Sequence, residues 1–186
     1  MYLNRVLAFL SDFGLKDPYV GQVEAVLAAE SRAQVVNLMH NIPPQHVDLA
    51  AHIVDGTLAL VPAGSVILAV VDPGVGGDRL PLVVKASNKW FVGPGNGLFE
   101  GVLRVGSESA EVWEVTWRPE ILSNSFHGRD LFAPVAAMLH CGNEPPGEPR
   151  ILDWNRYIDW PDSLFRIAGK SPIRSRDRNL LERSCH

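Results

Sequence analysis

The chain alternates short apolar runs with longer stretches of helical period. Arg5-Val6-Leu7-Ala8-Phe9-Leu10 is an apolar run ending at Ser11-Asp12-Phe13-Gly14, and predicts a first strand with its loop. From Tyr19 to Glu30 the apolar positions Val20, Val23 and Leu27 share one helical face, with Glu24 and Glu30 polar. Pro18 suits the first turn of that helix and Asp17 its cap. Gln34 to Leu38 predicts the next strand, followed by a Pro-rich loop at Asn41-Ile42-Pro43-Pro44. A second helix is predicted over Val47–Leu60, with Val47, Ala50, Ala51, Val54 and Leu58 on its inner stripe and Pro62-Ala63-Gly64 as its stop. Ser65 to Ala69 then reads as a buried strand. The resulting β-α-β-α-β order predicts an α/β fold: a mostly parallel central sheet with helices on both faces.

Further along, Leu82-Val83-Val84 and Trp90-Phe91-Val92 read as a strand pair joined at Ser87-Asn88. Gly93-Pro94-Gly95-Asn96-Gly97 is a turn cluster that leads into the short apolar segment Leu98-Phe99. Val112 to Val115 alternates like a half-exposed strand, and Asp130 to Leu139 predicts an alanine-rich helix capped by Asp130. Residues 142–149 are rich in Gly, Pro and Glu and read as a linker. Beyond Gly169 the sequence shows neither period 2 nor period 3.6, its arginines cluster, and it is expected to be poorly ordered. The predicted division is one domain over 1–150 and a linker with a truncated or aberrant tail over 151–186.

Composition narrows the function classes. With 46% hydrophobic and 20% charged residues the chain has material for a real core, and its net charge of −4 offers no basic face for nucleic acid. No window approaches the roughly 20 apolar residues that span a bilayer, and no signal-peptide pattern opens the chain, so neither a membrane nor export is expected. The two cysteines, Cys141 and Cys185, are far apart and suit a reduced, cytoplasmic protein.

Three stretches carry candidate chemistry. Val70-Val71-Asp72-Pro73-Gly74-Val75-Gly76-Gly77-Asp78-Arg79 puts Asp72 and Arg79 on a glycine loop at a strand's carboxyl end, where open α/β sheets form their ligand crevice. A dinucleotide cradle is excluded there, because the segment after the glycines reads as a strand rather than a helix. His40, His46 and His52 recur every six residues, which raises a metal site. Six residues of helix turn about 600°, so His46 and His52 diverge, and no HExxH or cysteine pair accompanies them. Asp48 and His52, four apart on one helix, read as a solvated pair. The third stretch, Ser123-Asn124-Ser125-Phe126-His127-Gly128-Arg129-Asp130, is a polar loop before a helix. If it folds beside Asp72 and Arg79, the three groups can hold and deprotonate a water: Arg79 polarising it, Asp72 fixing the arginine, His127 accepting the proton.

Taken in order, Leu10-Ser11-Asp12-Phe13-Gly14, Asp17-Pro18-Tyr19-Val20-Gly21, Val71-Asp72-Pro73-Gly74-Val75-Gly76, Phe91 to Leu98 and Phe126-His127-Gly128-Arg129-Asp130 resemble the S-adenosyl-L-methionine hydroxide adenosyltransferases, relatives of the fluorinase and chlorinase. The resemblance covers roughly residues 5 to 140 and implies a fluorinase-like N-terminal domain. It further implies hydrolysis of S-adenosylmethionine to adenosine and methionine by attack of a water-derived oxygen at the ribose C5′. Asp72, Arg79 and His127 match the family's catalytic trio, and Asp12 its ribose-binding carboxylate. Phe13, Gln45, Asn96, Phe126 and Gly128 are the remaining substrate contacts so implied, and Gly128 stands where the fluorinase has a halide-contacting serine. No metal and no cofactor beyond the substrate is implied, and the assembly expected is a homotrimer or a dimer of trimers. Gly95 and Asn37 depart from the family, which usually has Asp at both places. Members also continue into a small β-barrel domain that carries much of the adenine pocket. The competing readings are an inactive truncated homologue that binds an adenosine-like ligand or self-associates, and a metal-dependent hydrolase using His40 and His46.

Overall fold

A computed structural model describes residues 5–105 and 109–150. Its strands form one sheet of order β2-β1-β3-β5-β4-β6-β7, where β1 is Leu7–Ser11, β2 Val35–Met39, β3 Val66–Val70, β4 Pro81–Ala86, β5 Lys89–Pro94, β6 Glu111–Val115 and β7 Gly147–Arg150. Pairings β1–β2, β1–β3 and β3–β5 are parallel, and the sheet turns antiparallel from β4 outward. β1 and β3 are buried at every residue, as strands covered on both faces must be, which is why they read as unbroken apolar runs.

The first two crossovers run in opposite directions from β1, one to β2 and the next back past it to β3. Right-handed connections therefore put helix α1 (Tyr19–Ser31) and helix α2 (Val47–Leu60) on opposite faces. α1 shares its face with α4 (Ala133–His140), over a core that includes Leu7, Phe9, Leu68, Val23, Leu27, Leu131 and Val135. α2 packs against α3 (Glu100–Val105) on the other face, where Phe91 meets Phe99 with ring centroids 6.0 Å apart. The β4–β5 hairpin turns at Ser87 and Asn88, both left-handed at φ 49° and 59°, the geometry a two-residue turn needs to match strand twist.

Four local expectations change. Pro18 rather than Asp17 occupies the position before α1, and no side chain caps that helix. On α2 the buried stripe is Ala50, Ala51, Val54 and Thr57, with Val47 and Leu58 half-buried at its margins. Asp130 does not cap a helix: it lies inside a π-helical turn, Gly128–Phe132, that runs directly into α4. Residues 147–149 of the expected linker belong instead to the edge strand β7, paired to β6 through backbone groups that Gly and Glu supply as well as any residue. The predicted tail over 151–186, including Cys185, lies outside the described residues; Cys141 is a free thiol. Among the described residues no helix is long and apolar enough to cross a membrane.

Candidate active site

Because β1 sits between β2 and β3, the chain diverges at the carboxyl ends of β1 and β3, the place where such sheets open a crevice. Ser11 pairs in register with Val70, so the loops carrying Asp12 and Asp72 leave the sheet side by side. The second loop is folded on itself by bonds from Val75 N–H to the Asp72 carbonyl (3.2 Å) and from Gly77 N–H to the Gly74 carbonyl (3.0 Å). Gly76 has φ +76°, and a Cβ there would lie 2.5 Å from the Asn124 carbonyl oxygen. The glycine therefore lets this loop touch the 123–130 loop, and that contact brings residues 48 positions apart together.

What meets is the predicted trio. Arg79 Nε donates to both Asp72 oxygens at 2.9 and 3.0 Å, and Arg79 Nη2 donates to Asp72 Oδ2 at 2.5 Å. The same Nη2 stands 2.7 Å from His127 Nδ1. The Asp72 and Arg79 side chains are only 5% and 10% exposed, and the guanidinium lies over the Phe132 ring, 5.2 Å from its centroid. Guanidinium nitrogens only donate, so Nδ1 carries the lone pair and the ring proton is on Nε2. Burial and then the neighbouring Arg79 charge hold His127 below the usual histidine range, so at neutral pH it is uncharged. The acceptor expected of His127 is thus present, but in this arrangement Arg79 occupies it.

The loop under His127 is braced from three sides. Asp130 Oδ2 accepts the Ser123 N–H at 3.0 Å, Arg129 Nε donates to Asp130 Oδ1 at 2.6 Å, and Arg129 Nη1 donates to Gln22 Oε1 of α1 at 2.7 Å. A π-helical turn follows, a distortion common at functional sites because it re-aims side chains. Asp130 is spent on this brace instead of on a helix cap.

Asp12 accepts the backbone N–H of Gln45 at 3.1 Å, and Gln45 is held left-handed at φ 68°. Burial raises the Asp12 carboxyl above its ordinary value, with the Asp72 charge adding to it against the Gln45 hydrogen bond. Phe13, Phe126 and Tyr19 form a three-ring cluster, with centroids 5.5 Å (Phe13–Phe126), 5.3 Å (Tyr19–Phe126) and 6.3 Å (Phe13–Tyr19) apart. Tyr19 was not among the predicted contacts, and a helix-opening aromatic beside two loop phenylalanines was the signal for it. A Cβ on Gly128 would lie 2.9 Å from Phe13 Cζ, so Phe13 fills the space a serine there would take. Asn96 turns its amide to the backbone, donating to the Val71 carbonyl at 2.9 Å and accepting from Leu98 N–H at 3.4 Å. Both family departures have local reasons. A Cβ on Gly95 would meet the Leu80 carbonyl oxygen at 2.8 Å, and Asn37 Nδ2 donates to Glu24 Oε1 at 2.6 Å, where an Asp would face a second carboxylate.

The histidines proposed for a metal are otherwise occupied. Both His40 ring nitrogens have partners, Ser11 Oγ at 2.8 Å and Asn37 Oδ1 at 3.0 Å. His46 is exposed and stands 3.8 Å from Asp48. Among the described residues, no three His, Cys, Asp or Glu side chains are grouped to hold a metal.

Comparison with known proteins identifies the family. The (R)-S-adenosyl-L-methionine hydrolase of Thermus thermophilus is 43% identical over 156 residues, 77% of this chain and 60% of that protein. The hydrolase of the same name from Salinispora arenicola is 40% identical over 141 residues, covering 73% of this chain and 53% of its own length. An uncharacterized conserved protein from Thermotoga maritima superposes with a TM-score of 0.75 at 35% identity, over 79% of this chain and 59% of that one. The chain thus spans little more than half the length of the relatives it matches. The model of the SAM hydroxide adenosyltransferase N-terminal domain matches residues 7–147, and the chain belongs to that family.

Proposed function

We propose that this chain hydrolyses S-adenosyl-L-methionine to adenosine and L-methionine by attack of a water-derived oxygen at the ribose C5′. The observation that carries the reading is the continuous Asp72–Arg79–His127 chain of hydrogen bonds at the carboxyl ends of β1 and β3. The leaving group is a sulfonium that departs as a neutral thioether, so the reaction needs no general acid. It needs an aligned, partly desolvated oxygen nucleophile. Once Arg79 Nη2 and His127 Nδ1 part from their direct contact, a water between them accepts from the first and donates to the second, and is thereby both polarised and deprotonated. Asp72 supports the step by holding the guanidinium on two edges. Asp12 receives the ribose hydroxyls, and Phe13 and Phe126 line the approach to C5′. The reading calls for no metal or added cofactor and takes the working assembly to be a homotrimer or a dimer of trimers.

The test is to incubate the folded chain with S-adenosylmethionine and separate the products. Adenosine and methionine in equal amounts are expected; no adenosine above the enzyme-free control would sink the reading. The pH profile adds a second check. Only neutral His127 accepts a proton, so activity falls as the pH drops through its pKa, with a midpoint below the ordinary 6.5. The occupation of His127 Nδ1 by Arg79 Nη2 favours one alternative, a chain that binds an adenosine-like ligand without turning it over. Such a binder keeps its affinity in His127→Ala, whereas the enzyme loses adenosine formation.

A further inference from the structure

A chain of polar side chains runs from the surface of α1 to the Asp12 loop, and its direction is fixed by chemistry. Glu24 is a carboxylate and only accepts, so the Asn37 atom 2.6 Å from it is the amide nitrogen. Asn37 then offers its oxygen, 3.0 Å away, to His40 Nε2, which must carry the ring proton. That leaves a bare Nδ1 to accept the Ser11 hydroxyl at 2.8 Å, and the Ser11 oxygen in turn accepts the Phe13 N–H at 3.4 Å. The His40 carbonyl adds a bond from Gly14 N–H at 2.6 Å. His40 is 4% exposed and Ser11 fully buried, and the imidazole packs on Phe9 at 4.5 Å. Burial holds His40 below the usual histidine range, which keeps it neutral, as this relay requires.

Residues 11, 13 and 14 are thus tied to His40 on one side, while Asp12 between them turns to Gln45 N–H on the other. We infer that His40 is a positioning residue, oriented from Glu24 through Asn37, whose task is to hold the Asp12 carboxylate towards the substrate's ribose diol. The consequence for binding rests on the function proposed above; the relay itself does not. It also gives Asn37 a purpose, since an Asp there cannot donate to Glu24.

The test has a ligand-free arm and a ligand arm. In the ¹⁵N-histidine-labelled full chain, nitrogen shifts report the tautomer of His40, and carboxyl ¹³C shifts report the titration of Asp12. The relay predicts a neutral His40 protonated at Nε2. It also predicts that Asn37→Ala and His40→Phe bring the raised Asp12 titration back towards its ordinary value, because the loop no longer holds the carboxyl in its buried place. Asn37 is exposed, so its variant folds even where His40→Phe does not. An Nδ1-protonated His40, or an Asp12 titration unchanged in folded Asn37→Ala, overturns the inference. In the ligand arm, adenosine affinity measured by calorimetry falls about tenfold in Asn37→Ala, as loss of one hydrogen bond's worth of preorganisation entails. Unchanged affinity there also overturns it. Wild-type protein that binds no adenosine defeats the proposed function instead, and the ligand-free arm then decides the relay alone.

Discussion

Two places in the sheet's flanks bury carboxyl groups, and they treat them differently. At the carboxyl ends of β1 and β3, Asp72 is met on two edges by Arg79, which in turn reaches His127. Between α2 and α3, Asp55 keeps one oxygen buried without a hydrogen-bond partner, close to Glu100. Its carboxyl is pushed up to about 6, by burial first, with Glu100 adding to the rise against His52, the Val102 N–H and Arg104. Gly101 lies so near that a Cβ there would overlap the Asp55 carboxyl, so the close approach of the two helices confines that group. At the proposed site Asp72 is therefore oriented by a guanidinium on two edges, whereas Asp55 in the helix interface keeps an oxygen without a partner. Full partnering is what separates Asp72 from Asp55.

The sharpest way to break that contrast is Arg79→Ala. It strands the Asp72 charge in a buried place, and a loss of about 3–5 kcal/mol is expected in denaturant melts, together with loss of adenosine formation. Gly76→Ala is next. It forces a side chain into a left-handed position and against the Asn124 carbonyl, costing about 1–3 kcal/mol, and it parts the two loops while leaving every member of the trio in the sequence. Activity that survives in folded Gly76→Ala would mean the loop contact does not assemble the trio. The smallest effect has the opposite sign. Asp55 has a folded pKa above its unfolded one, so the folded state binds the extra proton and stability falls as pH rises from about 4 to about 6. Asp55→Asn should flatten that slope and stabilise the chain at pH 7 by about 1 kcal/mol, a value discounted for the group's partial exposure. Adenosine formation should be unaffected.

The parallel half of the sheet was legible because strands buried on both faces leave continuous apolar runs, and α2 falls on its predicted bounds, Val47–Leu60. The hairpin was legible from Ser87-Asn88, a pair that tolerates left-handed backbone. β7 was not, since an edge strand of Gly, Glu, Pro and Arg buries no apolar side chain and pairs through its backbone. The role of Asp130 is hidden for a related reason: a capping side chain and a salt-bridging one look alike until Arg129 and Ser123 compete for it. The site's residues could be named from their motifs, but not their meeting. That depends on Gly76 lying against Asn124, a contact no local period encodes. The His40 relay was hidden for the same reason, because hydrophobic patterning says nothing about buried polar partners.

Under the proposed function, a water set between His127 and the Asp72-held guanidinium of Arg79 attacks C5′ of S-adenosylmethionine. Turnover in ¹⁸O-water, with mass analysis of both products, tests it most directly. One ¹⁸O in the 5′-hydroxyl of adenosine and none in methionine is the predicted result, with the labelled product absent in Arg79→Ala and His127→Ala. No adenosine from the folded wild-type chain, or labelled adenosine formed as fast by the two variants, would contradict the account.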